Sequence, residues 1–120
     1  IARHVFEDAG IGHDDIDVLF LYDHFTPLVL MALEEYGFCR RGEGKDFVTG
    51  GRLQWPDGEL PLNTSGGNLS EAYLHGMQNN IEAVRQLRGQ SRCQVEGADY
   101  AFVASGNAVP TTAMILRRDG

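Results

Sequence analysis

The sequence predicts an α/β domain in which a mixed sheet is covered by helices. Three observations favour this class: helical spacing of apolar residues at the start, a nearly continuous apolar run over residues 17–22, and two further apolar segments near the end. Continuous apolar runs are typical of strands buried on both faces, and such strands need helices to cover them. At 120 residues the chain has room for one domain, residues 1–120, with one core.

A first helix is predicted over residues 2–9, because apolar residues recur there at helical spacing and Gly10 follows. The chain starts with Ile1, within this helix and without Met. We therefore expect a fragment or cleavage product that lacks the first strand of its fold.

A second helix is predicted after the strand at residues 17–22. Thr26 and Pro27 offer an N-cap and a first helical position, and residues 28–36 continue the helix. Residues 40–63 are rich in Gly, Pro and charge, which predicts a long loop with short extended pieces.

The last part of the chain predicts a long helix and two strands. Residues 63–67 form a turn of small residues that opens the helix, and Gly89 ends it. The apolar stripe predicted for this helix consists of Leu69, Tyr73, Met77, Ile81, Val84 and Leu87. Two strands at residues 98–104 and 111–116 follow, joined by residues 105–110.

Composition excludes several classes of protein. A net charge of −7 and a pI near 4.9 argue against a nucleic-acid binder and against a polybasic membrane anchor. No apolar run approaches the length of about 18 residues that a membrane span needs. Cys39 and Cys93 form neither a disulfide framework nor a zinc site, so we expect a cytoplasmic protein without a metal.

Polar side chains gather where the buried strand ends. Tyr22, Asp23 and His24 follow it directly, and ligand groups of α/β sheets commonly lie at such strand ends. In the alternative interpretation, Asp23 caps the next helix and His24 is an ordinary surface histidine.

Two glycine segments are further candidates. The turn at residues 63–67 could present backbone N–H groups to an anion, and Ser105, Gly106 and Asn107 could do no more than turn a hairpin. Tyr73 and His75 are expected in the first turns of the long helix, where a tyrosine is more often part of a core.

Taken in order, these segments resemble the C-terminal half of thiolases. Residues 22–25 stand where thiolases have Asn-Glu-Ala-Phe, and residues 63–67 match Asn-x-x-Gly-Gly. Residues 72–76 fall on Gly-His-Pro-x-Gly, and residues 94–106 resemble the stretch that leads into Cys-x-Gly. Within the superfamily the chain is most similar to lipid-transfer proteins of the sterol carrier protein X type and to the acyl-CoA aldolases that shorten steroid side chains.

The departures from the thiolase pattern change the expected chemistry. Tyr73 stands in place of the catalytic histidine, Tyr22 in place of the asparagine that holds a water, and Ala104 or Ser105 in place of the second cysteine. Cys39 and Cys93 match no catalytic position. The resemblance therefore favours, over thiolase condensation, a carbon–carbon lyase that cleaves a β-hydroxyacyl-CoA, such as a sterol side-chain thioester, to a ketone and a shorter acyl-CoA.

The resemblance also implies roles for individual residues. The catalytic candidates are Tyr73, Tyr22, Asp23 and His24. The substrate-binding candidates are Asn63, Gly66, Gly67, His75, Gly106 and Asn107. No metal is required, and CoA enters only as part of the substrate. A helix start near Tyr73 would favour its phenolate form.

The expected partners follow from the same resemblance. They are the N-terminal half of the protein, a second copy in a homodimer of the full chain, and a separate protein with an OB-fold and a zinc ribbon. The alternative function is a binding protein that carries acyl-CoA or lipid without turnover, and thiolase or acyltransferase activity is a third possibility.

Overall fold

The computed structural model describes residues 1–106 and 111–120, which form a mixed three-stranded sheet with helices on both faces. The sheet order is β1-β2-β3, with β1 parallel to β2 and β2 antiparallel to β3. The helices are α1 (Ala2–Ala9), α2 (Thr26–Glu35), α3 (Gly44–Phe47), α4 (Gly67–Ser70) and α5 (Met77–Leu87), and the strands are β1 (Val18–Leu21), β2 (Tyr100–Ala104) and β3 (Ala113–Arg117). The predicted mixed sheet is confirmed.

Strand β1 separates the two cores, because its alternate side chains point to opposite faces of the sheet. Leu19 and Leu21 pack with α1 and α2, whereas Val18 and Phe20 pack with α5. All four side chains are fully buried, which explains the continuous apolar run in the sequence.

The free edge of β1 is covered by a short piece of the region predicted as a loop. Leu19 donates its N–H to the carbonyl of Pro61 at 2.9 Å, and Asn63 donates its N–H to the carbonyl of Leu19 at 2.9 Å. Leu62 thereby forms a single parallel bridge to Leu19. Helix α3 and a short 3-10 helix, Thr49–Gly51, lie in the same region and were not predicted.

The start of α2 differs from the prediction by one residue. Phe25 is the N-cap, and Thr26 is already the first helical residue. Pro27 still lies in the first turn, where its missing N–H removes no helical hydrogen bond.

The long helix predicted from residue 67 onward is wrong: it is broken into α4 and α5. Residues 71–76 between them are not helical. His75 has a φ of 52° and Gly76 a φ of 86°, so the chain reverses hand there and cannot continue a right-handed helix. A stripe of apolar residues at helical spacing did not reveal this break, because neither residue interrupts the stripe.

Helix α5 buries polar side chains and exposes apolar ones. Gln78, Asn79 and Glu82 are buried, while Ile81 and Val84 are exposed. The predicted placement of the stripe in the core is therefore wrong, apart from Leu87. The exposed face is no membrane span: within the part of the chain that the structure describes, no helix is both long and apolar enough to cross a bilayer.

Replacing Tyr36 by Phe is expected to leave stability unchanged or to raise it by about 1 kcal/mol. Tyr36 is 5% exposed, and its hydroxyl finds no hydrogen-bond partner among the described residues. Burial also raises the pKa of this hydroxyl. The urea midpoint of the full-length protein measures the change, with Tyr100→Phe as the control, and a clear loss of stability would reveal a partner for the hydroxyl.

Candidate active site

The predicted cluster of polar side chains after β1 is divided between the two faces of the sheet. Tyr22 continues the alternation of Val18 and Phe20 and lies on the α5 side, whereas Asp23 lies on the α2 side. The ring of His24 lies 4.7 Å from that of Tyr22, measured between centroids. Two separate groups of residues replace the single expected cluster.

The first group is built around two tyrosines that are distant in sequence. The hydroxyls of Tyr22 and Tyr73 are 2.5 Å apart, and the Tyr73 hydroxyl is also 3.3 Å from Nδ1 of His75. Tyr22 and His75 line a pocket of about 360 Å³ with the ends of β2 and β3. Hydrogen bonds thus join three residues that the sequence singled out, two of which line the pocket.

Two glycines allow the Tyr22 ring to lie where it does. A Cβ on Gly76 or on Gly106 would stand 3.1 Å from a ring carbon of Tyr22. Gly106 is a predicted substrate-binding residue that lines the pocket. Its predicted neighbour Asn107 lies outside the described residues.

The electrostatics of the tyrosine pair act on Tyr22. Its hydrogen bond with Tyr73 raises the pKa of the Tyr22 hydroxyl, and burial and the negative charges of Tyr73 and Asp23 act in the same direction. Tyr22 therefore stays protonated at neutral pH and can donate a hydrogen bond or a proton.

Tyr73 occupies neither of the two environments predicted for it. It precedes α5 by four residues, so it does not lie in the first turns of a long helix, and the argument from a helix N-terminus does not apply. It is 53% exposed, so it is no core residue either. Among residues 1–106 and 111–120, Tyr73 contacts the hydroxyl of Tyr22 and the ring of His75.

The second group lies on the other face and consists of Asp23 and the glycine turn. Asp23 is buried, and its Oδ1 accepts a hydrogen bond from the backbone N–H of Asn68 at 2.8 Å, at the start of α4. Asp23 therefore caps helix α4. The alternative interpretation of the sequence has it cap α2, the helix that follows it in sequence. Gly67, with a φ of 62°, packs directly against this carboxylate.

Asn63 and the glycines lie apart from the tyrosine pair. Asn63 accepts a hydrogen bond from the N–H of Leu21 at 3.0 Å and donates one to its carbonyl at 2.9 Å. Asn63, Gly66 and Asp23 line a second cavity of about 360 Å³, on the α2 side. The turn's N–H groups are also partly occupied, since Gly66 donates to the carbonyl of Asn63.

Two polar residues of the pocket that Tyr22 lines, Asn80 and Thr112, were missed by the sequence reasoning, whereas Ser105, which also lines it, was singled out. Asn80 was hidden because the helix was expected to present its apolar stripe to the site. Ser105 and Thr112 also bond to each other, the N–H of Thr112 donating to the Ser105 hydroxyl at 2.8 Å. No motif in the sequence marks Asn80 or Thr112.

Neither cysteine belongs to the pocket, and both are unpaired. Burial, Glu34 and Glu43 raise the pKa of the Cys39 thiol, which disfavours the thiolate that a nucleophile needs. In residues 1–106 and 111–120, no group of three or more His, Cys, Asp or Glu is placed to hold a metal ion.

Comparison with known proteins assigns the fold and its family. Residues 1–118 match the family model described as thiolase C-terminal domain-like. The chain belongs to this thiolase family. Tyr73 and Tyr22, whose hydroxyls are in contact, stand at the positions where the sequence analysis places the thiolase histidine and asparagine.

Similar proteins include one that is named as a lyase and one that is named as an aldolase. The chain is 47% identical over 116 residues to the 17-hydroxy-3-oxo-4-pregnene-20-carboxyl-CoA lyase of Mycobacterium tuberculosis. It is 48% identical over 119 residues to the steroid side-chain-cleaving aldolase of Thermomonospora curvata. These alignments cover 97% and 99% of this chain but 30% of each relative.

A solved structure agrees with this family assignment. The structure titled Ltp2-ChsH2(DUF35) aldolase superposes with a TM-score of 0.94 at 48% identity, over 99% of this chain and 31% of that one. The thiolase C-terminal fold is therefore established for this chain, and the chain spans less than a third of the length of these relatives.

Replacing Gly67 by Ala in this thiolase-type domain is expected to lower the free energy of unfolding by about 2–4 kcal/mol. An added Cβ would overlap the Asp23 carboxylate, and a positive φ disfavours any residue with a Cβ. Gly89→Ala is a matched control, because Gly89 has a φ of 67° but open space around its Cβ position.

Gly89→Ala is expected to lower the free energy of unfolding by about 1–2 kcal/mol, because only the positive φ disfavours the added Cβ. Denaturation midpoints of both variants of the full-length protein give the comparison. Equal losses would show that the contact between Gly67 and Asp23 contributes nothing.

Proposed function

We propose that this chain is the C-terminal part of a carbon–carbon lyase that cleaves a β-hydroxyacyl-CoA by a retro-aldol reaction. The products are a ketone and a shorter acyl-CoA, and the proposed substrate is a thioester of a sterol side chain. The observation that carries the proposal is the hydrogen bond of 2.5 Å between Tyr73 and the pocket residue Tyr22, in a chain whose relatives are named as aldolase and lyase.

A tyrosine pair suits a reaction in which the enzyme's side chains have only to transfer protons. A retro-aldol cleavage takes a proton from the β-hydroxyl, breaks the Cα–Cβ bond and returns a proton to Cα, so no nucleophile has to attack the thioester. The pocket residues offer phenol and imidazole groups for these transfers, and both cysteines lie outside it.

The geometry suggests how the roles are divided. Tyr73 accepts the β-hydroxyl proton while its own hydroxyl hydrogen moves to Nδ1 of His75, 3.3 Å away. The Cα–Cβ electrons form the enolate of the acyl-CoA, and Tyr22, which its environment keeps protonated, supplies the proton to Cα. The proton on His75 then returns through Tyr73 to Tyr22 along the hydrogen bonds of 3.3 Å and 2.5 Å, which restores both side chains and balances the reaction.

Asp23 and His24 have supporting roles in this scheme. Asp23 holds the start of α4 from the opposite face of the sheet, and His24 packs against the Tyr22 ring. Asn63 acts in a similar way by bonding both backbone groups of Leu21, directly before Tyr22. Gly106 borders the substrate pocket, and the turn at Gly66 and Gly67 supports α4.

The rest of the protein completes the site in this proposal. The N-terminal half covers the exposed apolar face of α5, which ends beside the pocket and includes Met77, Ile81 and Val84. The full chain forms a homodimer and works with a separate OB-fold and zinc-ribbon protein, which accords with a similar solved structure whose title names two components. The assembly acts in the cytoplasm and needs no metal or cofactor in this part, apart from the CoA of the substrate.

Mass balance tests the proposal. The full-length protein with its partner is incubated with a steroid β-hydroxyacyl-CoA, and ketone and acyl-CoA are quantified. One ketone and one shortened acyl-CoA per substrate consumed are expected. Recovery of intact, protein-bound substrate would instead identify a carrier, and cleavage only on addition of free CoA would identify a thiolase.

A further inference from the structure

A buried polar cluster lies beneath the glycine turn, outside the proposed proton transfers. Glu82 and Gln86 of α5 are 3% and 1% exposed. The hydroxyl of Ser91 donates to Oε1 of Glu82 at 2.5 Å, and Nε2 of Gln86 donates to the carbonyl of Cys93 at 2.7 Å. Burying such groups is costly unless they are hydrogen-bonded, so their partners are held in defined positions.

Thr64 is the part of the glycine turn that enters this cluster. Its hydroxyl donates to Oε1 of Glu82 at 3.0 Å and accepts a hydrogen bond from Nε2 of Gln86 at 2.8 Å. A single hydroxyl is therefore bonded on both sides by side chains of α5, which anchors the turn to the helix.

The anchored turn is connected to the tyrosine pair by short steps. Asn63, directly before Thr64, bonds both backbone groups of Leu21. Asn79 of α5 adds a bond of 3.1 Å from its Nδ2 to the same carbonyl. Leu21 is followed by Tyr22, so the peptide groups that aim the Tyr22 side chain are held by the turn and by α5 together.

We infer that Thr64, bonded between Glu82 and Gln86, is a positioning residue that sets the orientation of Tyr22 toward Tyr73. The expected fall in kcat rests on the proposed function. The expected change in the hydrogen bond between Tyr22 and Tyr73 does not. Loss of the Thr64 hydroxyl frees the turn, shifts Asn63 and lets the strand end move, which lengthens the hydrogen bond between the tyrosines.

The direct test uses a fluorine label in the full-length protein. 3-Fluorotyrosine is incorporated in place of Tyr22, and its ¹⁹F chemical shift is recorded in the wild-type background and in Tyr73→Phe. The Tyr73→Phe spectrum gives the chemical shift that the label has when its hydrogen bond to residue 73 is absent. Thr64→Val is expected to move the resonance toward that value, and Thr64→Ser to leave it at the wild-type position. A Thr64→Val resonance at the wild-type position, or an equal displacement in Thr64→Ser, overturns the inference.

Thr49→Val is the matched control, because the Thr49 hydroxyl also donates a hydrogen bond, to the carbonyl of Asp46 at 2.6 Å, but at the exposed start of the 3-10 helix Thr49–Gly51. Its resonance is expected at the wild-type position, and a displacement like that of Thr64→Val counts against the inference.

Kinetics give a second readout. We expect Thr64→Val to lower kcat about 10- to 100-fold with KM nearly unchanged, because misplacing a catalytic group costs rate more than binding. The denaturation midpoint should also fall, because the buried Glu82 and Gln86 each lose a hydrogen-bond partner. Wild-type kcat in Thr64→Val overturns the inference. If the wild-type protein itself fails to cleave the substrate, the proposed function fails, while the fluorine shift still decides the role of Thr64.

Discussion

Tyr73→Phe is expected to lower kcat for lyase turnover by about 10²- to 10⁴-fold, the range typical of a proton-transfer group. The substitution removes only the hydroxyl that lies between Tyr22 and His75. Because Tyr73 is more than half exposed, the free energy of unfolding should change by no more than about 0.5 kcal/mol. Turnover and urea midpoint of the full-length protein with its partner measure both effects.

Tyr73→Ala separates this view from the alternative in which Tyr73 is a core residue. A buried tyrosine would cost roughly 3–5 kcal/mol on truncation, but the exposed ring should cost far less. Tyr100→Phe is the control, since Tyr100 is half-buried on β2 and outside the pocket. Full activity of Tyr73→Phe would eliminate it as a catalytic residue.

The second large effect is expected for Ile81→Asp. Ile81 lies 40% exposed on the outer face of α5, between Met77 and Val84. If the N-terminal half covers this face, the carboxylate is buried without a partner, and the full-length protein should lose about 3–5 kcal/mol of stability or fail to assemble. Thermal unfolding and size-exclusion chromatography of the full-length protein measure the loss.

Gln90→Asp introduces the same carboxylate at an exposed polar position just after α5. The free energy of unfolding of this variant should remain within about 0.5 kcal/mol of the wild-type value. An Ile81→Asp protein as stable as this control would place the face of α5 in solvent and contradict its proposed cover.

The sequence by itself determined the elements whose patterns are local. The apolar run of β1 and the ends of α1 and α5 at Gly10 and Gly89 were readable because burial on both faces, and a glycine after a helix, leave direct marks in sequence. The order of the turn at residues 63–67 and of Tyr73 also allowed the family to be recognised from the residues alone.

Only the tertiary structure decided how the site residues are distributed. Tyr22 and Asp23 are neighbours in sequence, yet they lie on opposite faces because side chains alternate along an extended strand. Tyr22 and Tyr73 are 51 residues apart, yet their hydroxyls are in contact. The face of α5 was likewise misassigned, since periodicity shows that a helix has an apolar side but not whether this domain or another part of the protein covers it.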